Sequence, residues 1–127
     1  MRLFRWERER ETFDEGICLT PKTGEDKLRL SELQSIADKV CNHFGLPKVM
    51  VEFTSWIKSK LHGRYCGGEK KIKISLTSPA RTLAHELGHH LTDTISPSPI
   101  QHPAEFWYYY GRVSEFLGRP LTADELK

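Results

Sequence analysis

The residues best suited to chemistry in this chain are the five from 85 to 89, His85-Glu86-Leu87-Gly88-His89. Two histidines four apart lie one above the other on an α-helix, so their imidazoles can converge on a single metal ion. Glu86 advances about 100° from His85 and stands about 60° from His89 around the helix. Its carboxylate is thereby offset from the imidazoles, within reach of a water on the metal rather than of the metal itself. With zinc, such a water has a pKa near 7, and the carboxylate can take its proton.

That geometry exists only if residues 85–89 are helical. Leu83, Ala84, Leu87, Leu91 and Ile95 form an apolar stripe that avoids His85 and His89, so a core face and a metal face are separable on one helix. Ser78-Pro79 supplies an N-cap and a first-turn proline, and the helix is expected to run to about Thr94. Gly88 costs such a helix about 1 kcal/mol against alanine, a cost explained if close backbone packing there requires a small residue. A catalytic zinc usually has three protein ligands. The candidates are His90, Asp93, His102, Glu105 and Glu115. His90 points about 100° away from His89 and is expected to be exposed. Asp93 fits better as a partner to a ligand than as a ligand. His102 follows the proline-punctuated loop SPSPIQ, which lets the chain reverse over the His85–His89 face. Glu105, one turn further on, is its main rival.

The remaining elements make a scaffold for that helix. Leu33, Ile36, Ala37, Val40 and Phe44 recur at helical spacing, predicting a helix over 30–44 with Ser31 as N-cap and Gly45 as stop. Residues 49–53, 61–65 and 71–76 read as strands, the last two forming an antiparallel hairpin around Gly67-Gly68. A last helix spans about 103–117, with Phe106, Trp107, Tyr108, Tyr109, Tyr110, Val113 and Leu117 as its core face and flank. One of these tyrosines could donate to a developing oxyanion. The order predicts an α+β domain in which a small, mainly antiparallel sheet lies against two or three helices. Residues 1–27 are expected to be a loosely docked arm, 28–120 the domain, and 121–127 a short polar tail.

With 127 residues, 38% of them hydrophobic and 28% charged, the composition is that of one globular domain. No run approaches the length of a membrane span. The charged N-terminus lacks the apolar stretch of a secretory signal, so a cytoplasmic location is expected. The cysteines Cys18, Cys41 and Cys66 are odd in number and form no Cys-x-x-Cys, which argues against a disulfide framework or a zinc ribbon. Cys18 in the arm could mask a metal. The net charge of +2 gives little support for nucleic-acid binding, although residues 58–73 carry six basic side chains against Glu69.

The combination of HELGHH, a loop, and His102-Pro-Ala-Glu-Phe-Trp resembles the SprT-like and WLM-type small zinc metallopeptidases. The upstream Phe-Gly-Leu-Pro, Gly63-Arg-Tyr and KIKIS segments are also similar, so the likeness spans about 30–118. It implies a zincin-like fold, a Zn2+ cofactor held by His85, His89 and His102, and Glu86 as general base of a peptide hydrolase. The loop from 89 to 102 is longer than in the shortest relatives, and no zinc ribbon or DNA-binding segment follows. The small size is also similar to that of minimal gluzincin-like proteases, in which a glutamate completes the site and a terminal segment can block the cleft; Glu105 and Glu115 stay open on that ground. Protein or peptide substrates are the expected partners, with an extended peptide pairing along an edge strand at 71–76. HELGH is similar as well to the ImmA/IrrE-type proteins, which leaves a non-enzymatic zinc-stabilised regulatory module, or a latent zymogen, as the alternative.

Overall fold

A computed structural model describes residues 17–55, 62–97 and 103–118. The elements run β1 (Ile17–Leu19), α1 (Gly24–Phe44), β2 (Met50–Ser55), β3 (Gly63–Cys66), β4 (Lys71–Ile74), α2 (Ala80–Ile95) and α3 (Ala104–Phe116). The class is α+β, as the alternation of patterns requires. The strands form one sheet in the order β1-β2-β4-β3. The outer pairs are antiparallel and the central β2–β4 pair is parallel, so the sheet is mixed. The hairpin around Gly67-Gly68 joins β3 to β4, its turn closing at Lys70 with φ 54°. Residues 71–76 do not form an edge, contrary to expectation. The strand stops at Ile74 and lies inside the sheet, with β2 on one side and β3 on the other. Alternation correctly identified the strand, but which neighbours cover its two sides is set by long-range pairing, which alternation does not encode.

Val51, Phe53, Ile72 and Ile74 share one sheet face and are buried against Leu33, Ala37 and Val40 of α1 and Leu83, Leu87 and Leu91 of α2. Burying each such side chain contributes about 1.5–3 kcal/mol. The stretch expected as an arm overlaps this body. Ile17–Leu19 pairs with Phe53–Ser55 of β2, and α1 begins at Gly24 rather than Leu30. Thr23, not Ser31, is the N-cap; its hydroxyl accepts from the Asp26 N–H at 3.0 Å, and Glu25 and Asp26 complement the positive helix end. The first turns carry exposed side chains, so no apolar period announced them. β1 covers only residues 53–55 of β2. Upstream of them Gln34 replaces a strand: its amide donates to the Val49 carbonyl at 2.9 Å and accepts from the Val51 N–H at 2.9 Å.

The start of α2 is tied to both layers. The Arg29 guanidinium on α1 donates to the carbonyls of Leu76 and Ser78 while lying over the Phe53 ring. The Ser78 hydroxyl binds the His62 carbonyl and Ser75 instead of capping the helix, and Pro79 takes the cap position. Of the expected apolar stripe on α2, Leu83, Ala84, Leu87 and Leu91 are buried. Ile95, in the last turn, is exposed. Phe106, Tyr110 and Val113 are buried on α3, and Tyr108 faces outward.

Helices α2 and α3 pack closely at Gly88. A Cβ added there would lie 3.0 Å from the Tyr110 Cβ and 3.1 Å from its Cα. Gly88→Ala should therefore destabilise the fold by about 1–3 kcal/mol through overpacking. A solvent-exposed helical site would instead gain about 1 kcal/mol. Denaturant midpoints of the two proteins give the sign, and a gain would show that α2 and α3 can separate freely.

Candidate functional site

His85 and His89 are half-buried on the α2 face turned to α3. Their ring centroids lie 5.0 Å apart with the planes at 70°. A tetrahedral metal bound by two imidazole nitrogens at about 2.1 Å sets ring centroids roughly 5 Å apart, so the pair fits a shared zinc ion. Both rings are braced by α3. Phe106 stacks on His89 at 4.3 Å and meets His85 edge-on at 4.9 Å, and the Tyr110 ring stands 5.2 Å from His85. The small residue at 88 lets the backbones come close enough for this aromatic wall to form.

The other proposed ligands separate clearly. His102 lies outside the described residues. Glu105 and Glu115 are exposed on α3, and among the described residues no group of three His, Cys, Asp or Glu side chains could hold a metal. His90 is fully buried, contrary to the expected exposure. It does turn away from His89, but β3 and the loop after α1 cover that side. Its Nε2–H donates to the Pro47 carbonyl at 2.8 Å, and its Nδ1 lies 2.9 Å from the Tyr65 hydroxyl. Burial lowers the pKa of its ring, chiefly by desolvation. Asp93, one turn beyond His89, lies 3.2 Å from that same Tyr65 hydroxyl.

Glu86 is buried, 6% exposed, between α2 and β3. Its carboxylate accepts from the Tyr65 backbone N–H and senses the Arg64 charge, but removal from water outweighs both and raises its pKa to about 8. The strand ladder explains the backbone bond. The Ser75 N–H donates to the His62 carbonyl, so His62, Arg64 and Cys66 face β4 while Gly63 and Tyr65 turn their backbone groups to the open edge. Gly63 has no room for a side chain there: a Cβ would meet Thr82 Cγ2 at 2.6 Å and Glu86 Oε2 at 3.2 Å. Sequence reasoning missed Tyr65 and Gly63 as parts of the site. Their signal was local: glycines 63 and 67 bracket one aromatic residue in a short strand, a pattern that marks close backbone approach.

Glu86 should shape the stability of the metal-free protein. Its folded pKa is raised, so its stabilising contribution is fully present below the unfolded value near 4.5 and is lost as pH rises toward 8. Glu86→Gln removes that titration. Urea unfolding of both proteins without metal should show the variant gaining on the wild type between about pH 5 and 8, by at most about 1.4 kcal/mol per pH unit. His90 acts in the opposite direction at lower pH, but it is present in both proteins and cancels in the difference. A pH-independent difference would mean that the folded protein holds Glu86 charged.

No family model, curated protein or solved structure matches the chain, so the reading of this site rests on its own residues.

Proposed function

We propose that the chain is a zinc-dependent endopeptidase in which Glu86 is the general base. The carrying observation is the closeness of the His85 and His89 imidazoles, ring centroids 5.0 Å apart, beside a buried carboxylate on the same helix. His102 is the third ligand in this reading. Support comes from Phe106, four residues downstream, whose ring packs on both histidines. Zinc held by the three histidines would supply a Lewis acid able to acidify water to a pKa near 7.

The protein's own groups do the rest. An extended peptide adds to the open edge of β3 rather than to β4, because β4 is already paired on both sides. Gly63, with no side chain, lets β3 itself lie against Thr82 and Glu86, which sets the edge strand beside the carboxylate. Glu86 ionises once positive charge is brought to the neighbouring histidines. Its carboxylate then takes the proton of the attacking water and returns it to the leaving amine. Among the described residues no helix is long and apolar enough to cross a membrane. A cytoplasmic setting is supported by Cys18, Cys41 and Cys66, all free thiols. The basic stretch gives little to a nucleic-acid reading, since Lys71 lies near Glu52 and Glu69, at 3.9 and 3.6 Å.

Protein purified without added metal should contain about one zinc per chain. His85→Ala and His102→Ala should lose most of it, and Glu105→Ala should not. On a denatured protein substrate, Glu86→Gln should keep its zinc while turnover falls about 10²–10⁴-fold, the range for a lost general base. Zinc loss in Glu86→Gln would make Glu86 a ligand and overturn the mechanism. Wild type and variant both loaded with zinc and both inactive would assign the chain to non-enzymatic binding or to a latent zymogen.

A further inference from the structure

Tyr65 sits where the edge strand meets the site, and it touches α2 twice by different routes. Its backbone N–H donates to Glu86. Its hydroxyl lies 2.9 Å from His90 Nδ1 and 3.2 Å from Asp93 Oδ2. Glu86, His90 and Asp93 are spaced i, i+4 and i+7, so they form one stripe along α2. The stripe is not the one that carries His85 and His89.

The proton inventory gives the hydroxyl its role. His90 Nε2 faces the Pro47 carbonyl, which can only accept, so that nitrogen carries the hydrogen. In the neutral ring Nδ1 is then an acceptor, and the Tyr65 hydroxyl donates its single proton to Nδ1 or to Asp93. His90 is thus held from both sides. Its ring is fixed by the loop after α1 and in turn fixes Tyr65. The strand on either side of Tyr65 lies flat on the helix. A Cβ on Gly63 would collide with Thr82, and one on Gly67 would come 3.0 Å from Asp93 Oδ2. Among the described residues, strand β3 has a hydrogen-bonded neighbour on one side only. These side-chain links add to the glycine contacts and the Tyr65 ring packing that hold the strand on α2.

We propose that Tyr65 is a positioning residue: its hydroxyl, anchored on His90 and Asp93, locks edge strand β3 in register with α2 and so holds the residue-65 N–H on the Glu86 carboxylate. The catalytic consequence rests on the peptidase reading; the positioning itself does not. The carboxylate of a general base that must accept and return a proton needs one fixed direction, and this backbone donor supplies it.

The test uses the full chain and two separate readouts. The first is amide hydrogen exchange of the metal-free protein. Tyr65→Phe keeps the ring and removes the hydroxyl. Exchange at the residue-65 amide should quicken roughly tenfold, the size of one lost hydrogen bond, while Val51 and Ile72 keep their wild-type rates. Asp93→Ala, at an exposed position that leaves the core intact, should give a smaller rise at the same amide. Asp93→Asn retains an acceptor and should restore wild-type protection. The second readout is turnover of zinc-loaded protein. In Tyr65→Phe kcat should fall about tenfold with KM and zinc content unchanged, because the strand still presents its edge to a peptide. If the residue-65 amide keeps its wild-type rate in both Tyr65→Phe and Asp93→Ala, or speeds up no more than Val51 and Ile72, the assignment is overturned and the hydroxyl only stabilises the fold. If exchange behaves as expected but the wild-type protein hydrolyses no peptide, Tyr65 keeps its positioning role and the peptidase reading alone fails.

Discussion

At Gly88 the backbones of α2 and α3 come so close that even a methyl group would press on the Tyr110 Cα. The rest of the site is a consequence of that approach. It brings Phe106 onto both imidazoles and Tyr110 beside His85, so the two rings lose rotamer freedom before any ligand arrives. A metal site whose side chains are already ordered loses less entropy on binding than one that must be assembled. The glycine weakens the helix locally by about 1 kcal/mol, and the aromatic packing it permits offsets that cost.

Helix α2 divides its surface into three stripes, each with a different environment. Leu83, Leu87 and Leu91 face the sheet and α1. His85, Gly88 and His89 face α3. Glu86, His90 and Asp93 face β3 and the loop after α1. A helix with one apolar face and one wet face could not hold a carboxylate and two imidazoles under separate control. Here the imidazoles keep partial access to solvent, and the carboxylate one residue along is removed from it. Desolvation therefore acts selectively on Glu86, raising its pKa to about 8, and a single backbone N–H and the Arg64 charge only partly offset it.

The edge of the sheet matters as much as the helix. Because β2 pairs in parallel with β4, the exposed edge next to α2 belongs to the short strand β3. An edge strand of four residues has little pairing energy of its own. Its attachment comes instead from glycines that let it lie on the helix and from one tyrosine that reaches across. The same arrangement leaves backbone groups of Gly63 turned outward, next to the carboxylate.

Local pattern sufficed for the helical spacing of His85, Glu86 and His89, the separate apolar stripe at Leu83, Leu87 and Leu91, the reading of a small residue at 88, and the α+β class. Each is a matter of local period or of residue size, and local period survives in any fold that keeps the helix. The start of α1 was hidden because Thr23 caps a turn with exposed side chains, which leaves no apolar rhythm to read. The buried state of His90 was hidden for a related reason. Angle around a helix says which way a side chain points, not what the rest of the chain brings there, and β3 and Pro47 come from 25 and 43 residues away. Three features came from the folded arrangement: β4 is internal, Tyr65 lies beside Glu86, and Glu86 is desolvated. All three depend on pairings between distant segments, which carry no periodic signature in the sequence.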